Sequence, residues 1–83
     1  MVVRKAEEYA QFAKNVKYLR KAYALSQQDL VDATGKAFGQ TYLSSIEKNR
    51  KPASQKAVTT IAELFNLTED ELLRTDLIKI VLE

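Results

Sequence analysis

The stretch "FGQTYLSSIEKNRKPAS", residues 38–54, decides how this chain folds and what it faces. On a helix turning about 100° per residue, Leu43 and Ile46 fall on one side, while Gln40, Thr41, Ser44, Ser45 and Lys48 cover the opposite arc. The pattern predicts a helix from about Gln40 to Lys48. Asn49 follows where a left-handed residue is wanted, a conformation that Asn tolerates better than most residues other than Gly. Arg50 and Lys51 come at once, in the irregular basic link "RKPA". Amides and hydroxyls along one helical face, with two cations at its end, suit the reading of a polyanion.

Outward from this stretch the chain reads as helical throughout. Tyr9, Phe12, Ala13, Val16, Leu19 and Tyr23 recur at helical spacing and predict a long first helix from about Arg4 to Ala24. Ser26 opens a second helix as N-cap, with Asp29 placed to complete a capping box. Leu30, Val31 and Ala33 give that helix its buried side, and Gly35 stops it. Ser54 caps a fourth helix through Phe65, buried along Ala57, Val58, Ile61, Leu64 and Phe65, and Asn66 repeats the left-handed stop. Thr68 and Glu71 form a capping box for a fifth helix that carries Leu72 and extends to Leu77. The expectation is an all-α, five-helix domain over residues 1–76. A short apolar extension, residues 77–83, contains "LIKIVL", which is compatible with a strand or with a sixth helical turn. Its apolar side chains need a cover, so it packs on the domain or serves as a dimerisation element.

Composition narrows the function. The 83 residues form one small domain near the lower limit for a core without staples. Cysteine and histidine are both absent, which removes disulfides, thiolate metal sites and the commonest general base. No metal or cofactor is expected. Ser44 and Ser45 have no histidine to activate them, and the carboxylates Glu69, Asp70 and Glu71 are accounted for by the first turn of a helix. An enzyme is therefore not expected. Apolar runs are too short to span a bilayer, and a cytoplasmic protein is the default.

Net charge is only +2, but it is unevenly distributed. Arg4 to Lys21 holds six basic and two acidic residues, and Lys36 to Lys56 holds five basic residues against Glu47. From Glu63 to Asp76 the balance reverses, with five acids against Arg74. Such asymmetry fits a protein presenting one face to a polyanion.

A tight connection between the second and third helices suggests a helix-turn-helix, whose third helix lies in the major groove of double-stranded DNA. Gln40, Thr41, Ser44 and Ser45 are then the base-reading candidates, Gln being a bidentate partner of adenine. Gln27, Lys36, Tyr42, Lys48, Arg50 and Lys51 are the phosphate-binding candidates, Gln27 at the start of the second helix where backbone N–H groups also favour a phosphate oxygen. Tyr42 has an alternative in packing over the turn around Phe38. Lys14, Lys17 and Lys21 read as a solvated basic face.

Three segments carry a resemblance to a known family. "LRKAYALSQQDLVDATG" (19–35), "YLSSIEKNRKPAS" (42–54) and "AVTTIAELFNLTEDELL" (57–73) resemble, in order and spacing, the Cro/lambda-repressor-type (XRE) DNA-binding domain over residues 15–72. "AEEYAQFAKNVKYLR" (6–20) and "GQT" (39–41) are also similar to the POU-specific domain. The resemblance implies that Gln27 binds phosphate and braces Gln40, that Thr41 and Ser44 face the groove, and that Arg20 and Glu47 form a structural salt bridge between helices one and three. It departs from the family in the turn from Gly35 to Gln40, about two residues longer than the compact phage form. Asn49 and Asn66 replace the usual glycines, and Ser45 stands where POU-specific domains carry an arginine.

The expected function is that of a sequence-specific transcriptional regulator, a repressor, acting as a homodimer on double-stranded DNA. It would be bacterial or phage-encoded and nucleoid-associated when bound. The competing expectation is a protein-interaction module on the same scaffold, of antitoxin or antirepressor type.

Overall fold

The computed structural model describes residues 5–78, which form five helices: α1 (Ala6–Ala22), α2 (Gln27–Ala33), α3 (Gln40–Glu47), α4 (Gln55–Leu64) and α5 (Glu69–Arg74). No strand occurs among the described residues. Three starts, those of α2, α4 and α5, follow the predicted caps, whereas α1, expected from about Arg4, begins at Ala6. Ser26 Oγ accepts from the Asp29 backbone N–H at 3.0 Å, and the Asp29 carboxylate accepts from the Ser26 N–H at 2.9 Å. Thr68 and Glu71 make the same reciprocal pair, and Ser54 Oγ accepts from the Ala57 N–H.

The helix ends share one device. In α1 to α4 the residue after the C-cap is left-handed: Ala24 (φ 57°), Gly35 (φ 70°), Asn49 (φ 57°) and Asn66 (φ 55°). Each time two backbone bonds close the end. After α3, for example, Asn49 N–H donates to Ile46 O at 2.9 Å and Arg50 N–H to Ser45 O at 2.8 Å. This is the Schellman arrangement, which satisfies carbonyls that a helix terminus leaves open. Helix α1 therefore stops two residues short of the expected Ala24, because that residue is the left-handed one. Helix α5 also ends early: Thr75 is extended, and a new helical turn begins at Leu77 rather than α5 continuing to it. The question of strand or helix beyond Ile78 falls outside the described residues.

One core gathers all five helices: Phe12 and Val16 of α1, Leu30 of α2, Leu43 and Ile46 of α3, Val58 and Ile61 of α4, and Leu72 of α5. Three residues expected on buried faces are exposed, and Phe65 is only half-buried. Ala33 is exposed, at the last turn of α2. Leu64 is exposed because Ala62 takes the inward position. Tyr23 is 62% exposed and leans on half-buried Phe65, ring centroids 5.2 Å apart. In return the core accepts a polar side chain that hydropathy alone leaves out: Asn15 is fully buried.

Candidate nucleic-acid interface

Helix α3 is fixed from behind. Leu43 and Ile46 are buried against α1 and α2, so the opposite arc of the helix faces outward. Gln40, Thr41 and Lys48 are exposed; Ser44 and Ser45 are half-buried. Gly39, the N-cap, brings no side chain to the helix start. Gln27, first residue of α2, reaches the same surface. Together Gln27, Gln40, Thr41, Ser44, Ser45 and Arg50 line one polar depression of about 310 Å³. Five uncharged hydrogen-bonding side chains thus sit beside a guanidinium, a set that offers both donors and acceptors to base edges and a cation to phosphate.

The depression rests on a charged clamp. Arg20 of α1 meets Glu47, the last residue of α3, through two parallel bonds: Nε to Oε2 at 2.8 Å and Nη2 to Oε1 at 3.0 Å. Its Nη1 donates to Leu25 O at 2.8 Å, in the turn before α2. The two side chains are 13% and 3% exposed. Glu47 Oε1 also accepts from Gln27 Nε2 at a long 3.4 Å. One buried carboxylate therefore ties together α1, the start of α2 and the end of α3. Hydrogen bonding to Glu47 raises the Arg20 pKa above the usual arginine range, with burial opposing it.

The other predicted contacts divide. Lys36, Lys48 and Lys51 are exposed but do not line the depression; Lys36 sits directly after Gly35, itself left-handed at φ 59°. Tyr42 lies at the turn instead. Its ring is 5.8 Å from that of Phe38, and its hydroxyl oxygen accepts from the Ser54 N–H at 2.9 Å, at the start of α4. That bond leaves the hydroxyl hydrogen available to a further acceptor. Arg50 borders a second hollow as well, of about 180 Å³, shared with Ala6, Tyr9, Asn49, Lys51 and Pro52. The sequence pattern places Tyr9 on the apolar stripe of α1, as core or rim. At the edge of that stripe the residue is half-buried.

With this geometry in view, the comparison with known families is direct. A helix-turn-helix domain family matches residues 13–78. The chain belongs to this family. Helices α2 and α3 of the helix-turn-helix domain carry the whole polar depression, with Arg50 as the single contribution from beyond α3. The match takes in the three segments "LRKAYALSQQDLVDATG", "YLSSIEKNRKPAS" and "AVTTIAELFNLTEDELL" and starts within α1, so the first turns of that helix lie outside it. No curated protein and no solved structure matches the chain. Among the described residues, no helix is long and apolar enough to cross a membrane.

Proposed function

We propose that this helix-turn-helix domain is a sequence-specific regulator of transcription, of the Cro/lambda-repressor (XRE) kind, that reads the major groove of double-stranded DNA with α3. The observation that carries the reading is the convergence of Gln27, Gln40, Thr41, Ser44, Ser45 and Arg50 on one open depression. Gln40 and Thr41, exposed in the first turn of α3, are the principal base readers, with Ser44 and Ser45 behind them. Arg50 and Lys51 engage phosphates on one side of the groove, and Lys36 and Lys48 add charge around it. Gln27 meets a phosphate at the N-terminal end of α2 while its amide is held by Glu47.

The regulator acts as a homodimeric repressor in the cytoplasm of a bacterium. Two-fold pairing places the reading helices about 34 Å apart, for half-sites about 10 base pairs centre to centre. Selection of bound duplexes from a random pool, repeated at two salt concentrations, tests this. An inverted repeat enriched at both salts supports it. Binding without a motif that vanishes with salt would leave only non-specific attraction to the backbone.

A second reading has an observation of its own. Lys14, Lys17, Tyr18, Lys21 and Ile78 surround a hollow of about 290 Å³, away from α3, with Ile78 37% exposed. An apolar floor rimmed by lysines suits a protein partner of antitoxin or antirepressor type. Failure of the selection experiment would move the function there.

A further inference from the structure

The hollow between the start of α1 and the link after α3 has a composition that the core pattern of α1 does not explain. Its lining is Ala6, Tyr9, Asn49, Arg50, Lys51 and Pro52. Arg50 and Lys51 are exposed, so two cations border it, and Tyr9, half-buried, lines it too. Arg50 also lines the depression in front of α3, which makes the two concavities neighbours on one continuous surface. A duplex seated against Gln40 and Thr41 would have this hollow beside it, across Arg50.

We propose that the hollow holds a backbone phosphate flanking the half-site, and that Tyr9 contacts it with its phenol O–H while Lys51 supplies the charge. The inference rests on the DNA-binding reading above and extends the footprint to a residue of α1. The chemistry suits a phosphodiester. Its oxygens accept from a neutral O–H and from an ammonium together, and the tyrosine ring and Pro52 offer the adjoining sugar an apolar wall. Tyr9 has no way to distinguish bases from there, so it sets register and affinity rather than sequence preference.

The test is Tyr9→Phe, which removes one oxygen and keeps the half-buried ring. Binding would be followed by fluorescence anisotropy on two duplexes, the one enriched by selection and one of random sequence, at about 50 and about 200 mM salt. The expected result is a loss of roughly tenfold on both duplexes at both salts, with an unchanged salt slope, because a neutral donor releases no counterion. Lys51→Gln should instead flatten the slope by about 0.9 on both. Phosphate ethylation supplies a second readout. In the unmodified protein, ethylating the flanking phosphate weakens binding; in Tyr9→Phe the same ethylation costs less, because only the Lys51 contact is left to lose. Equal affinities for Tyr9→Phe and the parent, or an identical ethylation pattern, would overturn the proposal while leaving the role of α3 intact. No binding of the parent to either duplex would overturn the DNA reading itself.

Discussion

The side-chain amide of Asn15, midway along α1, donates to the backbone carbonyl of Leu72 in α5 at 2.8 Å. The same nitrogen donates to Thr75 O at 2.7 Å, with Glu71 O at 3.4 Å. Its carbonyl oxygen accepts from Leu77 N–H at 3.2 Å and from Gln11 Nε2 at 3.0 Å. One fully buried side chain thus satisfies the open end of α5 and the start of the turn that follows. Removing it orphans carbonyls in the core. Asn15→Ala should destabilise the domain by about 1–3 kcal/mol, seen as a fall in Tm of roughly 5–15 °C. Asn15→Asp should be no better near neutral pH, since a carboxylate would face those carbonyls with no hydrogen to give. A melting curve for Asn15→Ala that overlays the parent's would refute the role. By contrast the Arg74–Glu8 pair, which also joins α5 to α1, is solvated on the arginine side and should matter little to stability.

Arg20 and Glu47 make a prediction of a different shape. A buried pair contributes little net stability, yet breaking it strands a charge. Arg20→Ala leaves the Glu47 carboxylate, 3% exposed, with only the long contact from Gln27. Each single substitution should cost about 3–5 kcal/mol, while the double substitution Arg20→Met with Glu47→Leu should recover most of it. Urea titration of the four proteins completes the cycle. Additive losses would mean that the two side chains do not act as a unit. Because the Arg20 pKa is raised, its share of stability is fully present below the usual arginine value and is lost only at strongly alkaline pH.

Acid sensitivity has one source that can be named. Backbone and hydroxyl hydrogen bonding to Ser26 holds the Asp29 carboxyl below the usual aspartate range. A depressed folded-state pKa gives stability that is present above the unfolded value, about 3.9, and is lost as pH falls through the folded one. Asp29→Asn should therefore be less stable than the parent at neutral pH, and the two should converge in acid. A gap that stays constant down to the lowest accessible pH would exclude this capping box as the cause.

Of the four left-handed helix ends, only Ala24 is held by a residue with neither glycine's freedom nor asparagine's tolerance. Its N–H donates to Lys21 O at 3.0 Å and Leu25 N–H donates to Arg20 O at 2.9 Å, so the geometry is enforced by its surroundings. A Cβ in this conformation costs roughly 1–2 kcal/mol, partly offset by the entropy that glycine loses on folding. Ala24→Gly should stabilise the domain by about 0.5–1 kcal/mol, measurable as a higher urea midpoint at unchanged m-value. A lower midpoint would show that the turn from α1 to α2 is not strained.

These cases also mark what the sequence makes legible. The caps at Ser26, Ser54 and Thr68 are local, so three or four residues suffice to predict them, and α2, α4 and α5 each begin one residue after such a cap. The stop at Ala24 is not legible, because alanine is the best helix former and only the bonds from Ala24 N–H to Lys21 O and from Leu25 N–H to Arg20 O reveal its conformation. Asn15 was readable in principle: it lies three residues from Phe12 and four from Leu19, on the apolar stripe itself. Its partners, however, are carbonyls about sixty residues away, which no periodicity encodes. For the polar face of α3 the pattern is again local, and the inward turn of Leu43 and Ile46 places it. The involvement of Tyr9 depends on where α1 meets the link after α3, a tertiary relationship.

The sharpest separation of roles lies between Gln40 and Arg50, which line the same depression yet should fail differently. Gln40, exposed in the first turn of α3, can trade two hydrogen bonds with a base edge, and this discriminates one base from another. Gln40→Ala should cost about 1–3 kcal/mol on the duplex enriched by selection and little on random sequence, narrowing the gap between them. Arg50 stands beyond the helix end and adjoins both concavities, the placement of a phosphate contact in the proposed complex. Arg50→Ala should weaken both duplexes alike and flatten the log–log salt slope by about 0.9. Anisotropy titrations across a salt series measure both effects in one experiment. Equal losses for Gln40→Ala on the two duplexes would remove it as a reader, and a sequence-dependent loss for Arg50→Ala would move that arginine from phosphate to base.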